Sequence, residues 1–260
     1  MIRFHFGLAP IGRVEPWGDQ YRTLHWFTLT EGWYCIDLGD HELLRYSDRT
    51  TELLRAQAGR QATPQHPYVD YYVARLWEDM LALLPTALEP VPADLVDFID
   101  SASADWSLPE TPEAEAASIW YGDHTLDTGY LWFGPHLRWW RTVDETSDIL
   151  TVAWHHPTDP ESEIEFAGPS SGRFSLPTDD FRSAVVEFDR NLMSAVARRV
   201  RKFRTLGPPT GIEIDLDLLV HEQRTRTQWL PEAMRRRPET DWDAVRAGAR
   251  TLRQSTSAAH

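Results

Sequence analysis

Between Leu24 and Tyr46 the chain reads LHWFTLTEGWYCIDLGDHELLRY, with apolar side chains on both alternations of the two-residue strand period. On a strand over 23–29, Leu24 and Trp26 face one way and His25, Phe27 and Leu29 the other. Over 33–38, Trp33 and Cys35 oppose Tyr34, Ile36 and Leu38. A sheet with one wet face alternates apolar with polar residues, so this pattern predicts an antiparallel meander covered on both sides. Helices supply one cover; the other is a second layer, a ligand or a partner. Thr30-Glu31-Gly32 and Gly39-Asp40 read as the hairpin turns, with a third strand over 41–46.

The rest of the chain supports an α+β class of antiparallel meanders packed against long helices. Residues 2–8 alternate as a strand, 55–67 read as a polar linker, and PYVDYYVARLWEDMLALLP carries a helical stripe that Pro85 and Pro90 end. Short helices are expected in ADLVDFIDS and from Thr111-Pro112-Glu113, where a capping residue precedes proline. Strands follow over 130–133, 136–142, 149–154, 164–166 and 173–176. The cleanest helix begins at Thr178 or Asp179 as cap and ends at Gly207-Pro208-Pro209. Two further helices are expected around Leu216–Val220 and from Trp242. Strands then a helix in each half suggest two similar units, 1–104 and 105–253, with 254–260 an irregular tail.

Acids outnumber bases 40 to 26, for a net charge of −14, which disfavours nucleic acid and anionic membranes. The basic run Arg198, Arg199, Arg201, Lys202, Arg204 reads as helix-end cations complementing the dipole. Lys202 is the one lysine among 25 arginines, a ratio that fits GC-rich coding. The single cysteine, Cys35, excludes a disulfide framework, and no apolar run reaches membrane-spanning length, so a cytoplasmic location is expected.

No chemical motif stands clear of its plainer reading. Asp127-Thr128-Gly129 carries the triplet of aspartic proteases without a second copy, and reads equally as a turn. His25, His124, Asp127 and His155 are the candidate acid–base groups, and Cys35 with His25 or His41 a candidate nucleophile. His155, His156 and Asp159 are the candidate metal ligands, although adjacent histidines on a strand point apart. His221-Glu222 lacks a second histidine one turn on. Gly-rich phosphate loops and dinucleotide fingerprints do not occur, so no cofactor is expected.

Pro16-Trp17-Gly18, Leu24-His25-Trp26-Phe27, Gly32-Trp33-Tyr34, Leu43-Leu44-Arg45-Tyr46 and Val73-Ala74-Arg75-Leu76-Trp77-Glu78-Asp79 resemble elements of an actinobacterial family of hypothetical proteins, a domain of unknown function. The resemblance implies no activity.

The expected function is therefore that of a cytosolic binding protein. Its acidic surface, with Trp26, Trp33, Trp132, Trp139, Trp140 and Trp154 as the aromatic contact set, would engage another protein, in the manner of an immunity-type neutraliser of a basic toxin or a regulatory partner. A homodimer is a further option. The rival expectation is a small-molecule binder or enzyme of specialised metabolism with a pocket lined by Trp33, Trp132, Trp139 and Trp140 and with His25, His124, His155 or Asp127 as acid–base groups.

Overall fold

The computed structural model describes residues 1–19, 22–58, 66–101, 111–131, 134–156 and 163–257. It is an α+β protein with two four-stranded antiparallel sheets. In the first sheet, β1 (Ile2–Leu8) pairs along the whole of β2 (Glu31–Leu38), from Ile2 opposite Leu38 to Leu8 opposite Gly32. The other edge of β2 is shared end to end by β3 (His41–Leu43) and β4 (Val69–Tyr72). Gly39, at φ 63°, makes the left-handed turn from β2 to β3 that the sequence predicts.

The predicted strand over 23–29 does not form. Thr28 and Thr30 turn their hydroxyls back onto the carbonyls of His25 and Phe27 at 2.8 and 2.7 Å, and the Thr28 hydroxyl also accepts the His25 amide. These local bonds compete with a strand ladder and close a short 3-10 turn over Thr28–Thr30. Trp26 is thereby carried into the core, where its indole N–H donates to Gln223 at 2.7 Å. The polar stretch from 55 is not all linker either, because α1 (Asp48–Ala58) runs into it.

α2 (Val73–Ala87) continues two residues past Pro85, and α3 (Val96–Asp100) and α4 (Pro112–Gly122) follow. Thr111 caps α4 by accepting the Ala114 amide, with proline next in the chain, as expected. The second sheet is a plain meander of β5 (Thr125–Leu126), β6 (His136–Val143), β7 (Asp148–His155) and β8 (Ser171–Pro177). The strand expected over 164–166 is reduced to one bridge, Tyr46 to Phe166, and Tyr130–Leu131 lie in a turn.

α5 (Thr178–Leu206) is the long helix, followed by α6 (Leu216–Arg226), α7 (Trp229–Arg235) and α8 (Trp242–Ser257). Pro177, not Thr178 or Asp179, occupies the cap position of α5, and the Thr178 hydroxyl donates instead to Asp148. α8 extends to Ser257, beyond Leu252, where an irregular tail was expected; 258–260 lie outside the described residues. No helix among the described residues is long and apolar enough to cross a membrane.

α2 and α5 pack against both sheets and build one core that draws on both halves of the chain, with Phe188 stacked on Phe4 and Phe181 against Trp139. A second core lies on the opposite face of the second sheet, where α3, α4 and α8 enclose Trp140. Each half has its own sheet, but one strand order branches and the other does not. The two-sided cover expected for the first sheet is found on the second.

Candidate functional site

The even-numbered residues of β1 and β2 face the helices, and the odd-numbered ones form the opposite face of the first sheet. On that face β2 presents Glu31, Trp33, Cys35 and Asp37. Gly7, His5 and Arg3 lie beside Trp33, Cys35 and Asp37; on the other edge Tyr72 pairs with Glu31, Asp70 with Trp33, and Glu42 with Asp37. Trp33 lies flat over Gly7, where an added Cβ would come within 2.4 Å of the indole nitrogen. Tyr68 stacks on Trp33 at 4.9 Å and His66 lies at 5.2 Å. Only Cys35 on this face is fully buried; Trp33 and its polar neighbours are half-exposed or exposed.

The carboxylates sit in two groups. At one end His5 and Asp37 pair at 2.7 Å, while Glu42 takes Arg45 at 2.5 Å and the Tyr68 hydroxyl at 3.1 Å. The second Asp37 oxygen is buried without a hydrogen-bond partner. At the other end Glu31 accepts the Glu15 amide, and Asp70 has no ion pair or hydrogen bond among the described residues. Desolvation, then the Glu31 charge, pushes the Asp70 carboxyl up to about 6. Burial raises Glu31 as well, against the opposing pull of the Glu15 amide and Arg199. Two neighbouring carboxylates, each held away from its comfortable ionised state, form a place where a cation from outside is stabilising.

An aromatic patch continues from this end. Trp17, 46% exposed, donates its indole N–H to the Tyr72 hydroxyl at 2.9 Å, and Tyr72 packs on Phe27 at 4.9 Å. His25 joins the patch 5.6 Å from Trp17, with its Nε2 bonded to the Thr23 hydroxyl.

Cys35 Sγ and carboxylate oxygens of Asp37 and Glu42 lie within 4.8 Å of one another, the donor set nearest to a metal site in the described residues. Burial, then the charges of Asp37 and Glu42, pushes the thiol up to about 12. A cation there would have to take the thiol proton and draw Glu42 from Arg45 and Tyr68. The cysteine faces His5 across the strand pair rather than His25 or His41.

The other residues singled out in the sequence lie elsewhere. Trp26, Trp139 and Trp154 are buried in the main core and Trp140 in the second, so Trp33 alone of the described set reaches a surface face; Trp132 lies outside the described residues. His124 is buried and hydrogen-bonded to the Trp120 carbonyl at 2.7 Å, and burial lowers it to about 4. Asp127 binds Arg75 at 2.6 Å and the Gly129 amide at 2.8 Å, so Asp-Thr-Gly is a local turn. His155 is exposed at the end of β7, whereas His156 is buried against Phe166 and lowered to about 4, mainly by burial. Asp159 lies outside the described residues. No hydrogen bond joins any two of His25, His124, Asp127 and His155.

One polar network was not anticipated. Arg75 reaches Asp79 at 3.0 Å as well as Asp127, and lies over the Tyr130 ring, whose hydroxyl receives that of Tyr34 at 3.0 Å. Burial pushes Asp79 up to about 7 despite the Arg75 charge. The network ties α2 and β2 to the loop after β5 and acts as a structural lock. Of the site residues missed in the sequence, Glu31 and Asp37 could have been found, because they share the alternation of Trp33. Asp70, Tyr68, Tyr72 and Trp17 are brought there by pairing and turns that no local pattern encodes.

The chain belongs to a family of unknown function, DUF5984, whose model matches residues 3–248. No curated protein and no solved structure matches it.

Proposed function

We propose that this member of the family is a binding protein that uses the open face of its first sheet to engage a cationic protein. The observation that carries the reading is the composition of that face. A half-exposed Trp33, braced by Tyr68 and Gly7, is flanked by Glu31 and Asp70, and the exposed Trp17–Tyr72 patch adjoins them. Aromatic side chains are enriched at interface centres, with charge at their rim; Arg3, His5 and Arg45 lie toward the Asp37 end of the face, away from Glu31 and Asp70, and the net charge of −14 favours a basic partner. The most specific form of the proposal is an immunity-type neutraliser of a basic toxin, acting in the cytoplasm; a regulatory partner uses the same chemistry. The arginine-rich composition supports an actinobacterial source. The rival, an enzyme with a tryptophan-lined pocket, gains no support from Trp139 and Trp140, which lie in separate cores on opposite faces of β6.

The test is affinity capture from host extract with the wild-type chain and with an Asp70→Lys/Trp17→Ala variant side by side. A basic protein retained by the first and lost by the second is expected. Equal retention by both, or retention of an acidic protein, would overturn the reading.

A further inference from the structure

A groove borders the open face along its β1 edge. β1 and α5 enclose this groove of about 670 Å³ along the edge of the first sheet. Phe4, Phe6, Leu8 and Ile11 make an apolar floor, and the facing wall is one side of α5, where Asn191, Ser194, Arg198 and Lys202 recur at helical spacing. Arg199, directly beside them, is spent on the carbonyls of Leu29 and Ala9, and His5 at the rim is paired with Asp37. Arg198 and Lys202 are exposed, one helical turn apart, and have no ion pair or hydrogen bond among the described residues. Arg75, Arg141, Arg226 and Arg246 are matched to carboxylates, whereas Arg201 and Arg204 on α5 are unmatched among the described residues like Arg198 and Lys202 but do not line the groove. What sets Arg198 and Lys202 apart is their place above an apolar floor, which the role of helix-end cations does not require.

We infer that this groove binds a small amphiphilic anion, with a carboxylate or phosphate headgroup between Arg198 and Lys202 and an apolar body on Phe4, Phe6 and Leu8. The volume falls in the range of small-ligand sites, about 300–1,000 Å³, and the chemistry of floor and rim is complementary to that one class. An acidic segment of a second copy would meet the same cations, and the experiment separates the two.

Full-length protein is titrated calorimetrically with decanoate and with decyl phosphate, which distinguish the headgroups, and with decyltrimethylammonium and inorganic phosphate as controls. The expected result is one site per chain for either or both anionic amphiphiles, with neither control binding. Arg198→Glu/Lys202→Glu, both on the exposed helix face, should weaken binding on the order of tenfold or more. Ala195→Trp, which fills the groove, should abolish it, with the far-ultraviolet spectrum unchanged in each variant. The inference is overturned by absence of binding, by equal affinity for the cationic amphiphile, or by undiminished binding to the charge-reversed protein. It is likewise overturned if sedimentation shows a dimer that the charge reversal dissociates.

Discussion

At the scale of single residues, burial makes two histidines harder to protonate. His124 and His156 are both lowered to about 4, by burial first, so between pH 6.5 and 4 the unfolded chain binds protons there that the native chain does not. The contribution of these two histidines to stability must therefore fall on acidification through that window, by up to about 3 kcal/mol for His124. Asp79, pushed up to about 7, acts with the opposite sign: the native chain holds its proton between about 4 and 7 and the unfolded chain does not. His124→Gln separates the terms. The variant should show a shallower loss of urea stability from pH 7 to pH 4.5 than wild type; parallel curves would show that His124 is not the source. A second residue, Trp17, is 46% exposed and makes one side-chain hydrogen bond. Trp17→Ala should leave the melting temperature within a few degrees of wild type yet cost on the order of 2 kcal/mol in partner binding.

The elements show what periodicity can and cannot reveal. α5, α2, β1, β6 and β7 were legible because each buries a continuous apolar stripe or alternation. The segment 23–30 was not, because threonine hydroxyls bonded to nearby carbonyls outweigh its alternation, and Trp26 finds its partners 51 and 197 residues away in Trp77 and Gln223. α1 was missed for a related reason: its anchor is not an apolar stripe but the buried Thr50 hydroxyl, which binds the backbone at Glu163 and Glu165. The candidate site was half legible. Trp33 stood out, but whether a strand face is covered is settled by distant elements, and four of the six tryptophans named for binding turned out to be core. Helix packing offers a test at this scale. A Cβ on Gly248 of α8 would lie 1.9 Å from the Glu113 carbonyl of α4, whereas one on Gly122 meets nothing within 4 Å. Gly248→Ala should destabilise by about 1–3 kcal/mol, and Gly122→Ala should be neutral or slightly stabilising, both read from urea midpoints.

In the molecule as a whole, two cores take up most of the aromatic side chains among the described residues. The second sheet is enclosed on both faces, and the first is covered by α2 and α5 on one face while the other presents carboxylates around Trp33. Across the molecule this leaves two surfaces of different character side by side, a face with carboxylates around Trp33 and a groove at its edge with Arg198 and Lys202 on one wall. If the open face binds a basic partner, affinity should fall as salt rises from 50 to 500 mM, by roughly tenfold or more. It should also fall below about pH 6, where Asp70 takes up its proton. Contact through this face, as opposed to attraction by net charge, would depend on the position of the substituted carboxylate. The direct measurement is the dissociation constant of the captured partner for wild type, Asp70→Lys and, as a control of equal charge change, Glu187→Lys on exposed α5. A loss on the order of tenfold or more is expected for Asp70→Lys and little change for Glu187→Lys; equal effects from the two would rule out contact through this face.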